Sequence, residues 1–224
     1  MLKINIKKLG PGLLFAGAAI GVSHLVQSTR AGADYGWGLL WALLLVNLFK
    51  YPFFQYGPKY ALATGESMLH GYKKLSRSIL IVYFILTIAT MFSIQTAVTI
   101  VTAGIAKSIS GDIFSVEIWT VLITIFCSLI LVIGRYKTLD SIIKYIIIIL
   151  AVSTVTATLI AGTEFEMEIN FNQVFPSDSI GIIFLIAFMG WMPAPLDVSV
   201  WHSIWALEKK KTLKNYSLKN SMFD

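Results

Sequence analysis

Charge is scarce in this chain: only 13% of its 224 residues are Asp, Glu, Lys or Arg, against about 25% in an average soluble domain. Cysteine is scarcer still. A lone Cys127 excludes an intrachain disulfide and a thiolate metal cluster, and its place inside an apolar run marks it as a packing residue. There is no zinc-ligand spacing, nucleophile motif or phosphate-binding glycine loop. An enzyme built on His24, His202 and Asp197 is therefore set aside, and no cofactor is expected.

What is abundant is hydrocarbon. Hydrophobic residues make up 56% of the chain, and the mean hydropathy is +0.75. The apolar residues come in blocks that approach or exceed the roughly 20 residues a helix needs to span a bilayer. Runs such as Ile79–Ala89 and Tyr145–Leu150 do not alternate polar and apolar residues as barrel strands do. Lipid offers backbone groups no partners, so these spans must be helices. The expectation is an all-α integral membrane protein with helices over 10–33, 37–63, 79–109, 117–134, 138–161 and 180–206. The N-terminus, with Lys3, Lys7 and Lys8 before an apolar stretch, resembles a signal peptide. Polar His24, Gln27 and Arg30 follow without a small-residue cleavage site, so the segment reads as a mature helix.

The net charge of +6 is explained by where the charges fall. With the N-terminus in the cytoplasm, 15 of the 18 basic residues lie in inner segments: 3–8, 59–77, 135–144 and 209–219. Asp34, Asp112, Glu117, Glu164, Glu166, Glu168 and Asp178 fall outside. The positive-inside rule thus puts both termini in the cytoplasm, as in a bacterial-type cytoplasmic membrane. The partner of the basic surface is the lipid bilayer, not a nucleic acid. Lys50, near the inner end of the second helix, reads as snorkelling to the interface. Trp37, Trp41, Trp119 and Tyr136 read as interfacial anchors.

Two helices carry breaks. In the first, Gly21, Ser23 and His24 interrupt a run of glycine and alanine. In the sixth, Pro193 and Pro195 each remove a backbone donor within Met192-Pro193-Ala194-Pro195-Leu196-Asp197. Broken helices at corresponding positions of two repeats are how inverted-repeat transporters build a midplane site. A proline kink and a glycine packing site are the plainer alternative.

The run Gly10-Pro11-Gly12 through Ala31-Gly32-Ala33-Asp34-Tyr35-Gly36-Trp37-Gly38-Leu39-Leu40-Trp41 resembles, without a gap, the first helix and the start of the second in the NRAMP family of divalent-metal transporters. Ala63-Thr64-Gly65-Glu66-Ser67 resembles the glycine turn that ends the second helix, and Gly134-Arg135-Tyr136-Lys137 the short loop before the fifth. Met192-Pro193 resembles the helix 6 break, and His202-Ser203 a polar pair beyond it. The resemblance implies the first six helices of a LeuT-like 5+5 inverted-repeat transporter. Residues 1–162 would form the first repeat, and 163–224 the outer loop, the sixth helix and a basic cytoplasmic tail. It also implies a metal cation as cargo, carried by alternating access and coupled to protons. Such a fold needs further helices, so the chain reads as part of a longer protein.

The sequence departs from the family at the metal site. Gly21-Val22-Ser23-His24 stand where the family has Asp-Pro-Gly-Asn, and Ala194 stands where it has a histidine. Aligning on His202-Ser203 instead puts Asp197 at that histidine. The remaining candidates for substrate are Gly21, Ser23, His24, Gln27, Met189, Met192 and Asp197. His24 and Met192 would suit a softer metal ion, and a non-metal small solute is equally open. Asp197 and His202 are the candidates for coupling; roughly 140° around a helix from each other, they do not form a dyad. Asp197 has a second reading, as a cap on the backbone donors of the half-helix it precedes. His24, Gln27, Ser28 and Ala31 form one stripe that lines a path or bonds a neighbouring helix. Arg30 and Asp34 read as an outer pair, or Arg30 as a vestibule residue. Gln95, Thr96 and Thr99 read as helix–helix hydrogen bonds or path residues.

Overall fold

The computed structural model describes residues 10–21, 23–164, 170–213 and 216–223. The described residues form helices and no strands. They are α1 (Pro11–Ala19), a π-helical turn (Ser23–Ser28), α2 (Thr29–Tyr35), α3 (Leu40–Thr64), α4 (Met68–Leu75), α5 (Arg77–Ser110), α6 (Val116–Glu164), α7 (Ser179–Trp191), α8 (Val198–Thr212) and α9 (Leu218–Phe223). The N-terminal lysines, Lys214 and Val22 lie outside the described residues, as does the side chain of Ser23.

The chain forms two compact units: the described residues up to Met68 with those from Ile142 onward, and Leu69–Ser141. In the first, α3 is the spine. Its early turns pack Ala42 and Val46 against Phe184, Phe188 and Met192. Its middle packs Phe54 with Ala19, Ala194 and Val198, and its end packs Ala61 and Leu62 with Ala206 and Tyr216. The order of these contacts makes α3 parallel to α7 and α8. The approach is closest at Gly57, where a Cβ would lie 2.2 Å from the Ser199 carbonyl oxygen. α3 ends as expected at Gly65, whose φ of 76° suits glycine. Ser203, the second member of the expected polar pair, accepts the Met68 N–H (3.1 Å) and so ties the start of α4 to α8.

The other unit holds α4 from Leu69, α5 and the first part of α6. Gln95 donates to Thr99 within α5 (2.9 Å), so this pair bonds within its own helix rather than to a neighbouring one. Cys127 is exposed, which corrects its reading as a packing residue. The span around it has no buried residues, and a small apolar side chain facing outward suits lipid.

Among the described residues, three helical stretches are long and apolar enough to cross a membrane: Arg77–Ser110, Val116–Gly134 and Asp140–Gly162. The α1 and His24–Tyr35 pair, bent by 44°, makes a fourth if counted as one broken span. The count is lower than the expected six for two reasons. α3 is diluted by Asn47, Lys50, Gln55 and Lys59, and the sixth helix is split into α7 and α8, each too short alone. The expected loop at Gly134–Lys137 is helical instead, within the 49 residues of α6. That stretch contains no proline, and Arg, Lys and Leu are good helix formers.

Candidate functional site at the two helix breaks

The breaks in the first and sixth helices meet. Ala19, the last residue of α1, shares an apolar cluster with Ala194 between the two prolines. α1 packs on α8, and the π-turn packs on α7. Each half of the first helix thus pairs with one half of the sixth.

Local sequence explains both interruptions. Gly21 provides little to hold a helix, and the chain resumes in a π-turn, a form enriched at functional sites. The Leu25 N–H reaches across to the Gly21 carbonyl at 3.1 Å. His24 donates from Nδ1 to the Ala19 carbonyl at 2.5 Å. In the neutral ring, donation from Nδ1 puts the lone pair on Nε2, the arrangement of a metal-ligating imidazole. Gln27, one turn on, has its Oε1 buried without a hydrogen-bond partner.

In the sixth helix, an α-helical Pro193 would have bonded the Met189 carbonyl, so its missing N–H leaves that carbonyl without its helical donor. α7 ends at Trp191, with Met192 extended beyond it. Lys50 supplies the missing donors. Its Nζ lies 2.9 Å from Met189 O, 2.7 Å from Gly190 O, 2.9 Å from Met192 O and 3.3 Å from Ala194 O. This corrects the snorkelling reading. The negative end of α7 and its orphaned carbonyls draw the ammonium into the break. Sequence reasoning missed Lys50 as a site residue. The signal was present, in a lysine within one span and a Pro-x-Pro in another, but one sequence does not reveal which helices touch.

The other expected residues separate. Met192 is fully buried in the apolar cluster, with Met189 packed against that cluster. Asp197 is half-buried at the start of α8 and makes no side-chain capping bond, so its reading as a cap is not realised. His202 is buried and stacks on Phe15 (5.5 Å). It lines a 340 Å³ cavity with Phe15, Asn47, Tyr51, Phe54 and Pro193. A second, 260 Å³ cavity lies on the α2 side among Ser28, Ala31, Trp37 and Phe188. No group of three His, Cys, Asp or Glu side chains that could hold a metal occurs among the described residues.

The features around α2 and the loop before α7 are also more specific than expected. Trp41 donates its indole N–H to Val174 O (3.0 Å) and stacks on Phe175 (4.6 Å), so it anchors the loop before α7 rather than an interface alone. Arg30 places its guanidinium 5.2 Å over the Phe184 ring.

A family model described as natural resistance-associated macrophage protein-like, Nramp, matches residues 12–224. An uncharacterized protein of Pasteurella multocida is 35% identical over 210 residues, covering 92% of this chain and 48% of that protein. The chain thus spans about half the length of this curated relative. No solved structure matches the chain.

Proposed function

This chain belongs to the Nramp family, and from that footing we propose that it is part of a secondary transporter that moves a metal cation across a membrane by alternating access, coupled to protons. The observation that carries the proposal is the meeting of the two broken helices through Ala19 and Ala194. In such transporters the half-helix ends form the cargo site. We place the cargo between Gly21, Ser23, His24 and Gln27 on one side and Met189, Met192 and Asp197 on the other. His24 Nε2 and the Met192 sulfur are the metal donors, both suited to a softer ion, and the sulfur becomes available when the apolar cluster that buries it opens. Asp197 and His202 carry the coupling proton.

The reading includes six crossings with cytoplasmic termini, in two repeats divided near 162. Parallel packing of α3 with α7 and α8 supports it. Two parallel spans need an odd number of crossings between them, and three candidate spans lie there. α6 is about 73 Å long at 1.5 Å per residue, so in a bilayer its two spans require a turn near Arg135–Asp140.

A second reading, transport of a non-metal solute, is favoured by Lys50. Its ammonium already sits on the Met192 and Ala194 carbonyls. Two unit positive charges 4 Å apart at an effective dielectric of 20 repel by about 4 kcal/mol.

Uptake into proteoliposomes by the complete gene product decides between them. The metal reading expects a divalent ion to accumulate and the rate to fall at least about tenfold in His24→Ala, the loss of roughly 1.4 kcal/mol of cargo binding. Intact protein that accumulates no divalent ion rejects the metal reading and leaves the solute reading.

A further inference from the structure

We infer that Lys50 is a tethered cation: its ammonium fills a carbonyl cage in the sixth-helix break that would otherwise hold a free monovalent ion. The inference deepens the transporter reading, on which its consequence for transport rests, but the cage itself is argued from geometry alone.

The donor count identifies the species. Three carbonyls, of Met189, Gly190 and Met192, lie 2.7–2.9 Å from one nitrogen, with Ala194 beyond at 3.3 Å. An ammonium has three N–H donors for three acceptors, whereas a neutral amine has two. The distances also select by size. Magnesium needs oxygens at about 2.0–2.1 Å and calcium at about 2.3–2.6 Å. A cage of 2.7–2.9 Å fits ammonium or a potassium-sized ion, whose hydration shell carbonyl rings replace. The cage is built by the chain itself. Pro193 frees the Met189 carbonyl, α7 points its negative end at the site, and α3 passes at the register that delivers Lys50.

The consequence for transport is that this break keeps a fixed positive charge through the cycle. It requires no free ion there, and it denies the Met192 and Ala194 carbonyls to a cationic cargo.

The test is thermal melting of the complete gene product in detergent, with sodium, potassium and methylammonium salts compared at equal ionic strength. Native protein should melt alike in all three. Lys50→Ala should melt lower in sodium and regain stability, saturably, with methylammonium or potassium. Recovery of Lys50→Ala only when methylammonium is present throughout purification supports the inference equally. Should Lys50→Ala not fold at all, Lys50→Met and Lys50→Arg decide. A stable Arg variant beside an unstable Met variant supports the tethered cation. A Met variant as stable as native, or Met and Arg variants equally unstable, overturns it. An identical salt response in native and Lys50→Ala protein also overturns it. Melting requires no transport, so a failure here is distinct from a failure of uptake.

Discussion

At the scale of single residues, the molecule depends on a few close approaches. Gly57 is the tightest: a methyl group there would overlap the Ser199 carbonyl, which belongs to backbone and cannot rotate away. Gly57→Ala should therefore push α3 from α8 and destabilise by about 1–3 kcal/mol, read as a lower melting temperature. A second prediction concerns the break. Lys50→Met removes the donor from three or four carbonyls, each costing about 1–3 kcal/mol when buried and unpaired. Water entering the break would reduce the loss, so the expected result is clear destabilisation smaller than the full sum. The sequence made some of these residues legible and not others. Gly65 was readable because a glycine after a helical run is a local signal, and it does end α3. Lys50 and Gly57 were not, because their roles depend on α7 and α8, more than a hundred residues away.

At the scale of elements, the breaks were legible because proline and glycine act on their own backbone. The first helix does divide into α1, a π-turn and α2, and the sixth into α7 and α8. The cavities beside the breaks were not legible, since both are lined in part by α3, a separate helix packed along them. The segment from Gly134 to Asp140 went the other way. A short loop was expected, and helix is present, because local propensity favours helix while the requirement to turn comes from the bilayer. Labelling tests that requirement. With a cysteine at Lys137 as the sole reactive thiol, an impermeant maleimide should react from the cytoplasmic side in inside-out vesicles. A thiol protected from both sides would place this stretch inside the membrane and refute the turn.

At the scale of the whole molecule, hydropathy made the class legible: all helices, with the apolar faces of α5 and α6 left outward. Orientation rests on the charge pattern, and it is testable with the same reagent. A cysteine replacing Asp112, the exposed partner of Lys107 in an ion pair (3.2 Å), should label from outside, opposite to one at Lys137. Both sites labelling from one side would contradict the positive-inside assignment. The loop before α7 has a mechanical consequence. Val174 donates its N–H to Gly38 at 2.9 Å, and Trp41 donates back to the Val174 carbonyl. This two-way strap lashes the leading end of α3 to the strand of chain that enters α7. The two are thereby tied at this end by backbone and indole bonds and again, further along α3, by Lys50 at the end of α7. The joint at Gly21 is bridged differently: among the described residues, the Leu25 N–H bonds to the Gly21 carbonyl and the His24 ring to the Ala19 carbonyl where the first helix bends.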